Sequence, residues 1–195
     1  MELLNIYDLQ EKLKGHSVKY SGFGLLFCFG TSLVSKIIMA KTRKEDGEVV
    51  PSHVAMVFGE FIFESTTDEI HINDKEIKSG VRMWLLKDFI EAEKNKLTRY
   101  YFFNLNRNKF DKDTMVECLH LPYGKDTIID FLLQDKSEGT NTKGLICSQY
   151  VNKCTKLSKQ RCPSPADLFR IIKDLRKGWI NDSQLWIQKW IIKEW

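Results

Sequence analysis

Two apolar runs, Val54–Phe58 and Phe61–Glu64, are separated by Gly59-Glu60. A short glycine-containing break between two such runs reads as a tight β-hairpin. This feature constrains the fold most, because a two-residue loop also fixes which residues face each other. Phe58 then faces Phe61, and Ala55 faces Glu64. Strand side chains alternate, so His53 shares a face with Ala55. Glu64 lies diagonally across from His53 on that face, with α-carbons roughly 7–8 Å apart, within reach of a glutamate side chain. Val54, Met56, Phe58, Phe61 and Phe63 make up the other face, which is wholly apolar and suits a core. A loop one residue longer or shorter would turn one member of the His–Glu pair away. The competing reading is a solvated histidine and glutamate at a sheet rim.

Around this hairpin the pattern reads as α+β. Leu3–Lys14 has Leu3, Ile6, Leu9 and Leu13 at helical spacing. Leu25–Phe29 reads as a buried strand, and Gly30-Thr31-Ser32 breaks it. A hydroxyl there can cap a helix over Leu33–Lys41, with Val34, Ile37 and Ile38 on one face. Thr42–Val50 is charged and reads as an exposed loop. Asp68–Ser79 is polar, a loop or short edge strand, and Val81–Leu86 is a strand or the lead-in to a helix. Lys87–Lys96 is expected as a helix, Thr98–Leu105 as a strand and Asp111–Leu119 as a helix. Leu121-Pro-Tyr-Gly reads as a turn, Thr127–Leu133 as an apolar segment and Ser137–Gly144 as a polar turn. Leu145–Lys156 reads as a helix entered from a loop. Pro165 suits the first turn of a helix over Ala166–Leu175.

The chain has 195 residues, 43% hydrophobic and 29% charged, which fits one ordinary globular domain. There is no internal repeat and no low-complexity linker. The net charge is 30 − 26 = +4, too weak to imply nucleic acid. The longest apolar stretch, Phe23–Ala40, is broken by glycines, hydroxyls and Lys36, so it reads as a strand followed by a helix rather than a membrane span. The opening Met1-Glu-Leu-Leu-Asn lacks a basic n-region and an apolar h-region, so the expected location is cytoplasmic. Cys28, Cys118, Cys147, Cys154 and Cys162 are an odd number without a secretion signal, so reduced thiols are expected, and with no Cys-x-x-Cys pair among them no zinc site is expected.

Cys147 sits in Gly144-Leu-Ile-Cys-Ser-Gln-Tyr, where a loop enters a helical segment. A thiol at a helix N-terminus lies beside free backbone N–H groups and the positive end of the dipole, which favours thiolate. The same N–H groups can hold an oxyanion. A thiol nucleophile also needs a base and a group to orient that base, and His53 with Glu64 meets that need. The bland alternative for Cys147 is a small buried hydrophobe. Cys28 reads as buried and inert, and Cys154 as buried on the Cys147 helix face two turns on. Cys118 and Cys162 have no evident activator. His16 and His120 read as solvated or hydrogen-bonded, and His71 as a spare base.

Several segments occur in a familiar order. Leu25-Leu-Phe-Cys-Phe-Gly and Leu33-Val-Ser-Lys-Ile-Ile precede Ser52-His-Val-Ala-Met-Val-Phe. Phe63-Glu-Ser-Thr, Gly80-Val-Arg, Pro122-Tyr-Gly, Leu145-Ile-Cys-Ser-Gln-Tyr-Val and Pro163-Ser-Pro-Ala-Asp-Leu follow. This order resembles the circularly permuted NlpC-type papain-like cysteine hydrolases, the YiiX-like group, related to the lecithin–retinol acyltransferase-like enzymes. The resemblance spans Ser21 to Leu168. It implies a papain-like antiparallel sheet packed against helices, in which the histidine strand precedes the nucleophile helix. Carried over by position, Cys147 is the nucleophile, His53 the general base and Glu64 the residue that orients it. No metal or organic cofactor is implied.

The resemblance further implies amide or ester cleavage through an acyl-enzyme, on a peptide, cell-wall fragment or acyl-lipid substrate. Two other functions stay open: a lipid or thioester acyltransferase, and an inactive binding module. The domain is expected over residues 1–178. Trp179–Trp195 reads as a Trp-rich amphipathic helix that packs on it, with peripheral membrane contact as the alternative.

Overall fold

In a computed structural model the described residues are 3–13, 22–72, 75–125 and 144–176, without the side chains of residues 70–77. The fold is α+β. Five antiparallel strands form the main sheet in the order β6-β3-β2-β1-β7. They are β1 (Gly22–Phe29), β2 (His53–Gly59), β3 (Phe61–Thr66), β6 (Gly80–Leu85) and β7 (Arg99–Asn104). A separate two-stranded ribbon, β4 (Ile70–Ile72) and β5 (Lys75–Ile77), lies between β3 and β6 in sequence. The helices are α1 (Ile6–Leu13), α2 (Leu33–Thr42), α3 (Leu86–Glu93), α4 (Lys112–Glu117), α5 (Cys147–Thr155) and α6, over residues 165–176.

The hairpin register is the one expected as far as Met56–Phe63, but the strands part there and Ala55 does not pair with Glu64. Phe58 pairs with Phe61, Val57 with Ile62 and Met56 with Phe63. Gly59 takes φ +63°, the positive value that the first position of a type II′ hairpin turn requires.

Both faces of the sheet are covered. On one, Phe27, Val54, Met56 and Phe63 pack against Tyr150 and Val151 of α5, Met115 of α4 and Phe169 of α6. On the other, Leu26, Ala55, Val57 and Ile62 pack against Leu9 of α1 and against Phe89 and Ile90 of α3. The nearly continuous apolar run of β2 has this cause, since a strand buried on both sides cannot alternate with polar residues. It also removes the reading of Glu64 as a surface residue at a solvated rim: Glu64 is buried.

One further expectation is refined and another is corrected. Ser32 does cap α2, its hydroxyl accepting from Ser35 N–H at 3.1 Å. The apolar stripe Val34–Ile37–Ile38, however, does not pack inward as a unit. Within α2 only Ile38 and Thr42 are buried, while Val34 and Ile37 face outward with Leu33. Helical spacing defines a stripe but not its direction, and α2 touches the body along the Ile38–Thr42 row. Thr42–Val50 is also not wholly exposed. Arg170 of α6 donates to both carboxylate oxygens of Glu48, at 2.9 and 2.7 Å, and to the Thr42 carbonyl at 2.6 Å. This clamp pins both ends of the segment, and Val50 is buried. Thr127–Leu133, most of Ser137–Gly144 and Trp179–Trp195 lie outside the described residues.

Candidate active site

The site forms where the sheet parts. The β2–β3 ladder ends at Met56–Phe63. Beyond it, β2 continues against β1 as far as Cys28–His53, and β3 continues against β6 through Glu64–Arg82, Ser65–Val81 and Thr66–Gly80. The start of α5 packs where these strands diverge, in contact with both β2 and β3. The Ser65 hydroxyl donates to the Leu145 carbonyl at 2.5 Å, tying the approach to α5 onto β3. Leu145 also bridges Tyr123, and its N–H donates to the Pro122 carbonyl at 3.0 Å. The loop before the thiol is thus held on two sides by non-local bonds.

Cys147 is the first residue of α5. Its N-cap is Ile146, whose side chain cannot accept a hydrogen bond. The first helical bond runs from Tyr150 N–H to the Ile146 carbonyl at 3.0 Å. The backbone N–H groups of Cys147, Ser148 and Gln149 precede that bond and have no helical acceptor. A serine or aspartate cap would occupy these donors, and isoleucine leaves them for an anion. Gln149 Oε1 accepts from Ile146 N–H at 3.1 Å, which steadies the turn from its other side.

His53, the first residue of β2, meets the thiol at the same place. Its Nε2 lies 2.9 Å from Oε2 of Glu64. The Cys147 thiol acts on the same imidazole, and with Nε2 committed to Glu64 the ring nitrogen left to it is Nδ1. The Glu64 carboxylate is saturated from its far side. Arg82 Nε and Nη2 both donate to Oε1, at 3.0 and 2.7 Å. Arg82 Nη1 donates to the Asp68 carbonyl at 2.8 Å, and the guanidinium lies 4.9 Å from the centre of the Trp84 ring. The chain of contacts runs Cys147–His53–Glu64–Arg82, with alternating charge when the thiol is ionised.

Titration follows from this order. Burial by itself raises the Cys147 thiol, but the His53 charge and hydrogen bond, then the N–H groups of Val54 and Ser148, bring it below its ordinary value. Burial disfavours the His53 imidazolium, yet the Cys147 thiolate, then Glu64, hold its pKa up at about 10. Burial likewise opposes ionisation of Glu64, and His53 and Arg82 reverse this and hold it at about 2. These directions favour a thiolate–imidazolium pair backed by a carboxylate. Two other thiols differ: burial raises Cys28 well above its usual range and pushes Cys154 up to about 12.

Glu64 therefore contributes stability above its unfolded pKa, near 4.3, and loses it as pH falls toward 2. Urea midpoints measured from pH 6 to pH 2 should drop most steeply in that window. Glu64→Gln should flatten the drop.

Cys147, His53 and Glu64, singled out from the sequence, all line one cleft of about 630 Å³. Arg82, Tyr123 and Trp84 line it too and had no role in the sequence reading. Arg82 had a usable signal, as the one charge in the otherwise apolar strand Gly80-Val-Arg-Met-Trp-Leu. Tyr123 had none beyond its place in the Pro122-Tyr-Gly segment of the resemblance. Its hydroxyl is raised by burial, then by the Cys147 thiolate and Asp68. His120 lies in the turn after α4 and does not line the cleft; His71 is on β4, its side chain outside the described ones, and His16 is outside the described residues. Among the described residues no three His, Cys, Asp or Glu side chains are grouped to hold a metal ion, and no helix is long and apolar enough to cross a membrane. No family model, curated protein or solved structure matches this chain.

Proposed function

We propose that this chain is a cysteine hydrolase that cleaves an amide or ester bond through an acyl-enzyme, on a permuted papain-like frame. The observation that carries the reading is the Cys147–His53–Glu64 arrangement at the uncapped start of α5, inside a cleft. The Cys147 thiolate attacks the substrate carbonyl carbon, and its electron pair becomes the C–S bond. The carbonyl oxygen becomes an oxyanion, for which the free N–H groups at the start of α5 are the donors. As the oxyanion collapses, the amine or alcohol leaves and takes a proton from the His53 imidazolium. Neutral His53 then removes a proton from water, and the hydroxide oxygen attacks the thioester. Collapse releases the acid, and the thiolate–imidazolium pair is restored.

Glu64 has two tasks in this scheme. It fixes the imidazole so that Nδ1 faces sulfur, and it stabilises the positive ring. Arg82 keeps Glu64 ionised in its buried position and prevents it from taking the His53 proton.

The test uses 4-nitrophenyl butyrate as a small acyl donor. The wild-type protein should release nitrophenolate and, quenched early, carry one butyryl group mapped to Cys147. His53→Ala should lower the acylation rate by about 10²-fold or more. An adduct on another residue, or equal acylation in His53→Ala, would refute the reading.

A further inference from the structure

The charges that line the cleft do not cancel. Cys147 and His53 sum to zero as a thiolate–imidazolium pair, and they still do in an acyl-enzyme, where both are neutral. Of the other described lining residues, Glu64, Asp68 and Glu93 are acids and Arg82 and Lys96 are cations, two positive against three negative.

The ion pairs show which charge is left over. Arg82 donates twice to Glu64. Lys96 Nζ lies 2.6 Å from Glu93 Oε1, and Glu93 Oε2 accepts from the Tyr100 hydroxyl at 2.6 Å. Lys96 also feels the charge of Asp68, but its ammonium is bonded to Glu93. Among the described residues the Asp68 carboxylate has no cation at ion-pair distance, and its one hydrogen bond comes from the Thr67 hydroxyl at 3.4 Å.

Residue 68 is fixed beside the reactive pair. Its carbonyl accepts from Arg82 Nη1 at 2.8 Å and its N–H donates to Thr66 Oγ1 at 3.2 Å, and Arg82 is the residue that holds Glu64 behind His53. The Tyr123 hydroxyl lies within electrostatic reach of both the Cys147 sulfur and the Asp68 carboxylate, so the two acids share one stretch of the cleft. Asp68 is exposed, so a ligand in the cleft can reach it. Thr66 and Thr67 also line the cleft and supply hydroxyl oxygens, and Tyr123 supplies a ring. An ammonium has three donors and no acceptor, so a carboxylate flanked by hydroxyls suits it, and a ring face adds cation–π attraction. Cleft walls of low dielectric focus the field of one uncancelled charge.

We infer that Asp68 is a specificity-determining residue, and that the cleft takes a substrate carrying a positively charged nitrogen, an amine or quaternary ammonium, near its scissile carbonyl. The cation site stands on the lining charges alone. Its use in choosing a substrate rests on the hydrolase reading.

Modification of Cys147 by 2-aminoethyl and 2-sulfonatoethyl methanethiosulfonate reads the site without hydrolysis. Asp68→Asn should lower the rate ratio, cationic over anionic reagent, by about fivefold or more, and Asp68→Lys should lower it further. Asp46→Asn removes the same charge away from the cleft and should leave the ratio within about twofold. Salt at about 0.5 M should shrink the Asp68 effect. Turnover then tests selection. 4-Nitrophenyl 6-aminohexanoate against the heptanoate places or omits a cation in the acyl part, and butyrylcholine against 3,3-dimethylbutyl butyrate does so in the leaving alcohol. In at least one pair the cationic member should have a kcat/KM about tenfold higher after correction for alkaline hydrolysis, mostly through KM. Asp68→Asn should bring that pair within about threefold. A reagent ratio that neither Asp68 variant moves would overturn the inference. So would turnover with no cationic preference in either pair. A ratio that falls as expected, with none of the four esters turned over, would leave the cation site standing and sink the hydrolase reading alone.

Discussion

Cys147→Ser should leave the fold in place and lower 4-nitrophenyl butyrate turnover by about 10³-fold or more, the scale on which losing a nucleophile acts. The substitution swaps sulfur for a smaller oxygen in a buried position and adds no charge, so the denaturation midpoint should move little. The hydroxyl does not ionise near neutrality, so the variant also removes the negative partner of His53. A nuclear magnetic resonance titration should then show the His53 pKa falling from its raised value, with Glu64 alone still supporting the charged ring. That second readout separates a nucleophile in contact with its base from a buried thiol that matters only for packing. Retained turnover, or an unmoved His53, would count against the pair.

Arg82→Leu should cost far more stability than its place outside the Cys–His pair suggests. Arg82 and Glu64 are both buried, and the guanidinium supplies two of the three hydrogen bonds that the carboxylate receives from side chains. Removing one member of a buried pair leaves the other charge short of partners, at a cost of about 3 kcal/mol. The remaining His53 contact places the effect toward the low end of that class. Urea denaturation at pH 7 should show the loss. Arg82→Leu/Glu64→Leu should be less destabilised than the sum of the two single changes, because it leaves no orphaned carboxylate. Turnover should fall in both. A single Arg82 variant as stable as wild type would mean that Glu64 does not depend on it.

The sequence made the His53–Glu64 meeting legible because local chemistry sets it. Gly59-Glu60 closes the hairpin, the closure fixes Phe58 opposite Phe61, and alternation puts Glu64 and His53 on one side, although the ladder ends before it reaches them. The Cys147 position was legible for a similar reason, since a glycine-containing loop and an amphipathic run mark where α5 begins. What did not show was non-local. Arg82 meets Glu64 through the β3–β6 pairing, and the connection between those strands carries its own small ribbon whose length sets no register. The outward turn of Leu33, Val34 and Ile37 was hidden because spacing fixes a stripe and tertiary docking decides which side is covered. The parting of β2 from β3 was equally invisible. The apolar run continues through Ala55 and Val54 without a break, and the split comes from the wedge of α5 and the Ser65–Leu145 bond, 80 residues apart in sequence.

The central claim is that the His53 imidazolium and the start of α5 hold Cys147 as a thiolate near neutral pH. Iodoacetamide alkylation followed from pH 5 to pH 10, with each cysteine quantified by peptide mapping, measures this directly. Cys147 should react with a midpoint well below the ordinary thiol value of about 8.5, ahead of Cys28 and Cys154, and His53→Ala should shift that midpoint upward. A Cys147 midpoint at or above about 8.5 that ignores the loss of His53 would contradict the account.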